Sequence, residues 1–137
     1  MVNITEFKPD RHFEVLLDMH LAQHSKTYDI LDLETLPKIG YIVYSDTEYH
    51  YVAAGFLRMV EGGFAQIDTM VTNPNLTGDA RNEGLTLLVD TLIKTAKDME
   101  LKGIYSMTTN GSVIDRALKL GFFVSNHVVI VLDTLNT

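Results

Sequence analysis

The stretch Thr77–Lys94, "TGDARNEGLTLLVDTLIK", sets a polar, glycine-bearing loop with one arginine directly before an amphipathic run. A helix N-terminus leaves several backbone amides without intrahelical partners and carries a partial positive charge, so phosphate oxygens bind there readily. A glycine such as Gly84 lets a ligand approach the backbone closely, and Arg81 can add a charge-assisted contact to the same anion. The chemistry suggested is capture of a phosphorylated small molecule; the competing reading is a solvated helix start, and so short a motif does not choose. The histidines suggest no metal centre. His20 and His24 stand at i and i+4 of one predicted helix, but no third ligand accompanies them.

Periodicity supplies the elements that must position these residues. "MVNITEF" reads as a short strand, and Pro9 and Asp10 open a helix whose apolar positions are Phe13, Leu16, Leu17 and Leu21. An irregular segment follows, with a short helix near Leu31–Leu36. From Gly40 the pattern becomes that of strands: "YIVYS", "HYVAAGFLRMV" and "FAQIDTMV", joined at "DTE" and "EGG", predict a three-stranded antiparallel meander. Along the last of these, Gln66 and Asp68 share one face, opposite Ala65 and Ile67. The loop "TNPNLTGDARN" leads into a helix bearing Leu85, Leu88, Val89, Leu92, Ile93, Ala96 and Met99, closed by Gly103. Then come a strand "IYSMTT", a helix "NGSVIDRALKLG" stopped at Gly121, and a final strand "FFVSNHVVIVLD". Asn110 suits the cap of that last helix. Met59, Met70, Met99 and Met107 fall in apolar patterns and read as core filler.

The chain has 137 residues, which predicts one domain over 1–137. It lacks cysteine, so disulfides and thiolate chemistry are excluded, and a reducing cytoplasm is the expected address. No apolar run has the length of a membrane span, and no secretory pattern opens the chain. The 11 basic against 18 acidic residues give a formal charge of −7, which disfavours nucleic acid as a partner and suits a cationic acceptor. An amine-bearing acceptor is compatible with that charge, as is an anionic cofactor held by a few oriented amides; no nucleic acid and no membrane are expected as partners. Open sheet edges allow a homodimer.

Element order and motifs together resemble the GCN5-related N-acetyltransferase (GNAT) superfamily. "RNEGLT" puts Arg81 and Gly84 in register with the Gln/Arg-x-x-Gly-x-Gly/Ala signature, with Thr86 where Gly or Ala is usual, and "TTNGSVIDRALKLGFF" supplies Asn110, Gly121 and Phe122. The resemblance implies an α/β (α+β mixed) fold. Its mixed sheet would have about six strands, antiparallel in the N-terminal half and βαβ in the C-terminal half, with helices on both faces. It implies acetyl-CoA as co-substrate and no metal, with the pantetheine arm admitted where the fourth strand splays from the fifth. Backbone groups of Thr69, Met70 and Val71 would hold the arm. Amides of Asn82, Glu83, Gly84, Leu85 and Thr86, with Arg81, would face the pyrophosphate, and Asn110 would complete the cofactor site. The spacing from Pro74 to Arg81 exceeds the family's usual one.

Acetyl transfer needs a neutral amine, a polarised thioester carbonyl and a stabilised leaving thiolate. The family's usual acid is a tyrosine four residues before Gly121, where this chain has Ala117, which donates no proton. Asp68 is then the candidate base, with Glu61 behind it. Tyr105 is the candidate acid, with Ser125 and His127 as substitutes. The implied function is acetyl transfer from acetyl-CoA to an unidentified amine on a small molecule or a protein. The alternative is a catalytically inactive GNAT-like binding or structural protein. The segment 23–36 with Tyr28, Asp29, Asp32 and Glu34 has a character suited to a cation.

Overall fold

β-branched and aromatic residues need a pleated, half-buried surface, and three runs of them form the centre of a five-stranded sheet. The computed structural model describes residues 1–24, 32–46, 50–108, 110–128, 130 and 132. The chain divides into two compact units, Met1–Ser106 and Met107–Thr137, each described by itself.

In the first unit the sheet order is β1 (Val2–Glu6), β2 (Ile39–Ser45), β3 (Tyr51–Val60), β4 (Phe64–Thr72) and β5 (Gly103–Tyr105). The first four strands are antiparallel neighbours, and β5 lies parallel to β4 after the crossover helix α2 (Gly78–Asp98). The meander, the βαβ half and the mixed sheet are those the sequence predicts. Gly62 and Gly63, at φ 93° and 86°, make the β3–β4 turn in the left-handed region that glycine tolerates.

Each face of the sheet carries a helix. Ile42, Ala54, Phe56 and Val71 pack with Leu16 and Met19 of α1 (Pro9–His24) and with Phe7. Val43, Ala53, Leu57 and Ala65 pack with Leu88, Leu92 and Ala96 of α2. Leu16, Leu88 and Leu92 are fully buried, each contributing about 1.5–3 kcal/mol by area transfer. Pro9 begins α1, where no amide donor is needed, and the Lys8 amide donates instead to His12 Nδ1 at 2.9 Å. His20 is buried on the same helix.

Two boundaries differ from expectation. α2 starts at Gly78, capped by Thr77, whose hydroxyl accepts from the Ala80 amide at 3.2 Å. It ends without glycine: Glu100 takes φ 58°, Leu101 N donates to Ala96 O and Glu100 N to Lys97 O, both at 3.0 Å. This is the paired reversal that usually employs glycine, and Leu101 gains packing against the α2-side core. Gly103 belongs to β5. The expected short helix near Leu31–Leu36 is a 3-10 turn at Leu33–Thr35, capped by Asp32. Of the methionines expected as filler, Met70 packs on the core, whereas Met59, Met99 and Met107 are exposed.

The second unit holds α3 (Gly111–Lys119). Asn110 caps it, accepting from Ser112 N at 2.9 Å and Val113 N at 3.3 Å. Gly121 stops it at φ 94°, with Phe122 N donating to Ala117 O. The expected final strand does not form among its described residues, 122–128, 130 and 132. Phe123, Val128 and Ile130 are exposed there; β-propensity expresses fit to a half-buried pleated surface, and without one the same residues make no ladder. No helix among the described residues is long and apolar enough to cross a membrane.

Candidate functional site

β4 and β5 begin paired and then part. Their register runs Phe64↔Gly103, Ala65↔Ile104 and Gln66↔Tyr105, after which β5 ends while β4 continues to Thr72. Residues opposite one another in a ladder share a face. Ile104 joins the α2-side core with Ala65, so Tyr105 stands with Gln66 and Asp68 on the α1 side of the sheet, at the point of parting.

Along the parted edge β4 carries a bulge. Phe56 pairs with Asp68 and Ala54 with Val71, so two steps on β3 match three on β4. The surplus residue is taken up around Thr69, whose φ is 51°. The bulge inverts the alternation. Ile67 and Met70 both pack toward α2, while Val71 lies in the α1-side core. Asn73 N donates to Val52 O at 2.9 Å on the β3 side. Thr72 N, facing the other way, donates to Gln23 Oε1 of α1 at 2.8 Å. By the same alternation the Met70 peptide groups lie on the open side. Gln23 therefore closes one end of an edge whose middle, at Thr69–Met70, bears the bulge.

The bulge is tied down from the α1 side. Thr69 Oγ1 donates to Asp68 Oδ1 at 3.0 Å, Arg58 Nε donates to Asp68 Oδ2 at 2.5 Å, and Arg58 Nη2 donates to the Thr35 carbonyl at 2.8 Å. Asp68, the candidate base, is thus a half-buried carboxylate already serving two donors. Arg58 and Gln23 had not been singled out from sequence. The signal for Arg58 was a charged residue inside the otherwise apolar run "YVAAGFLRMV", which calls for a partner on the neighbouring strand.

The open start of α2 lies upstream of the residues that the motif named. Asn82, Glu83, Gly84, Leu85 and Thr86 occupy the second and third turns of α2, where each amide is committed to the carbonyl four residues back. Gly84 serves packing: a Cβ on it would lie 2.4 Å from Val52 Cγ1. Thr86 spends its hydroxyl on Asn82 O at 2.8 Å. The amides left over at this helix start belong to Gly78 and Asp79, and nothing lies within 4 Å of a Cβ position on Gly78. Arg81 is half-buried, and its Nε, fully shielded, has no hydrogen-bond partner. An orphaned guanidinium nitrogen beside an open helix start suits an anionic ligand, although the exposed Asp79 and Glu83 carboxylates oppose it. The signal missed was the cap: Thr77 followed by Gly78 and Asp79 is itself a helix-start pattern.

Glu61 is exposed in the β3–β4 turn. Asn110 commits its oxygen to the cap of α3, leaving its NH₂ for other partners. Ser125 and His127, in the second unit, bond to one another through Oγ and Nδ1. Tyr28 and Asp29 lie outside the described residues. Among the described residues no group of three or more His, Asp or Glu side chains could hold a metal ion.

No family model matches the sequence, and no curated protein is significantly similar to it. Solved structures are similar. An acetyltransferase of the GNAT family from Staphylococcus aureus superposes with a TM-score of 0.65 at 16% identity, over 88% of this chain and 81% of that one. Glucosamine-6-phosphate N-acetyltransferase from Arabidopsis thaliana gives 0.67 at 13% identity, over 97% of both chains. A Mycobacterium tuberculosis protein in complex with CoA gives 0.69 at 18% identity, over 83% of this chain and 69% of that one. The chain has the GNAT fold. Within the GNAT fold the parted strands, the β4 bulge and the start of α2 lie on one side of the crossover β4–α2–β5, which is where an open α/β sheet binds ligands.

Proposed function

We propose that this chain is an N-acetyltransferase using acetyl-CoA and an amine acceptor. The observation that carries the reading is the edge of β4 beyond Gln66, unpaired by any strand among the described residues, bulged at Thr69 and leading within six residues to the start of α2. An extended amide-bearing arm can pair with such an edge as an added strand would, and the free amides of Gly78 and Asp79 suit a diphosphate at its far end. Acetyl-CoA, when bound, supplies the acetyl group as an activated thioester. The Met70 peptide groups would orient the arm, and the amide at the bulge would polarise a carbonyl oxygen. Tyr105 Oη holds a proton suited to a departing thiolate. Asp68, fixed by Arg58 and Thr69, would orient the incoming amine and receive its proton directly or through water. The −7 charge and the exposed Asp32 and Glu34 suit a cationic acceptor, and the Arabidopsis protein of this fold is named for an amino sugar phosphate.

The second reading is a binding protein without catalysis, favoured by the two donors already on Asp68 and by Ala117 in place of a proton donor. Thermal unfolding with acetyl-CoA tests cofactor binding: at 100 times the dissociation constant it should add about 2.7 kcal/mol of stability. No rise in Tm at millimolar acetyl-CoA would defeat the proposal. Thiol release across a panel of primary amines then separates transferase from binding protein.

A further inference from the structure

We propose that Arg58 is a positioning residue for the transfer centre, holding the β4 bulge through Asp68 while braced on the 3-10 turn at Thr35. This rests on the acetyl-transfer reading above. Thr69 is β-branched, and a β-branched residue in the left-handed region is strained by its own Cβ. Its conformation persists only where its surroundings over-determine it. Here the hydroxyl donates to Asp68 at 3.0 Å, and Asp68 is held in turn at 2.5 Å by Arg58 Nε. The guanidinium uses a second nitrogen on the Thr35 carbonyl, 2.8 Å away on a segment remote in sequence. One planar group with donors in a fixed fork can brace both at once; an ammonium on a flexible stem cannot hold the same angle.

Geometry is what this relay contributes. Arg58 and Asp68 are diagonal neighbours across β3 and β4, with side chains 43% and 26% exposed, and ion pairs so exposed add little to stability. The relay ends at the residue that sets the edge amides at Thr69 and Met70. A shift there changes transfer more than it changes folding, because small displacements of a polarising donor lower rates steeply.

The test compares Arg58→Gln and Arg58→Lys with the wild-type chain, using acetyl-CoA and the amines glucosamine, spermidine and lysine. Thr95→Val, which removes the 2.8 Å contact with Tyr41 Oη away from the centre, is the control. Arg58→Gln should lower kcat about tenfold or more, with KM for acetyl-CoA within about twofold. Arg58→Lys, able to reach Asp68 but not Thr35 as well, should recover part of the loss. Amide NMR of Arg58→Gln should show shifts confined to about Ile67–Met70 and the Leu33–Thr35 turn. An unchanged kcat, an equal loss in Thr95→Val at equal melting temperature, or unmoved Thr69 and Met70 signals would each overturn the inference. If the wild-type chain binds no acetyl-CoA, the transfer reading fails. The NMR comparison then decides the bracing by itself: moved signals support it and unmoved signals overturn it.

Discussion

Gly84 of α2 lies so close to Val52 of β3 that a methyl group added to it would sit 2.4 Å from Val52 Cγ1. The contact is between helix and sheet, in the fully packed α2-side core, and it accounts for the glycine without any ligand. Gly84→Ala should destabilise by about 1–3 kcal/mol through overpacking, partly offset by the better helix propensity of alanine. Denaturant unfolding measures this, and acetyl-CoA affinity of the folded protein should be unchanged. Weakened affinity at full stability would return Gly84 to the binding site.

Gly78 gives the opposite pattern. Its Cβ position is open, and it starts α2. A glutamate there complements the helix dipole and replaces a poor helix former, so Gly78→Glu should keep or slightly raise Tm. It also sets a carboxylate against a diphosphate, and calorimetry should find acetyl-CoA binding weakened about tenfold or more. Unaltered affinity would mean that the diphosphate lies elsewhere.

Tyr105 stands opposite Gln66, on the side of the sheet that bears Asp68. Tyr105→Phe keeps the ring and removes the hydroxyl. With wild-type acetyl-CoA affinity retained, kcat should fall on the scale of lost acid catalysis, about 10²-fold. Steady-state thiol release decides, and a wild-type kcat would leave solvent as the proton source.

His12 links stability to pH. Burial, and secondarily the charge of Arg11, lower its pKa below the ordinary 6.5; the ring lies against Phe7 and Tyr51, and its Nδ1 accepts from Lys8 N. The unfolded chain therefore binds a proton at a higher pH than the folded chain does. His12 contributes stability in full above pH 6.5, and loses it as pH falls through 6.5 toward the depressed folded value. Urea midpoints measured between pH 8 and pH 5 should decline, and His12→Gln should flatten that decline.

Periodicity carried most of the fold. The meander's alternation, the amphipathic stripe Leu85–Met99 and the stop at Gly121 were legible because one face of each is buried or one residue makes a turn. The start of α2 was not, since a glycine that admits a ligand and one that admits a neighbouring strand look the same in sequence. The bulge was hidden more deeply. Left-handed residues are read from Gly or Asn, and here a threonine takes that conformation because Asp68 and Arg58 hold it, which only the register of β3 on β4 reveals. Asp68 was legible as a chemical group, but not its two donors. Among its described residues, 122–128, 130 and 132, the expected last strand forms no ladder, because its composition shows a willingness to pair and says nothing of a partner.

The extra residue at Thr69 also has a bearing on how this strand can change. Downstream of it, Met70 and Val71 face opposite cores, and straightening the strand into regular alternation with every residue kept would exchange their destinations, turning the aliphatic pair inside out. The kink is thereby locked by the sandwich that encloses it. Descendants that abandoned chemistry altogether would still inherit it, unless a single-codon deletion removed the surplus residue and closed the ladder with both side chains on their present faces.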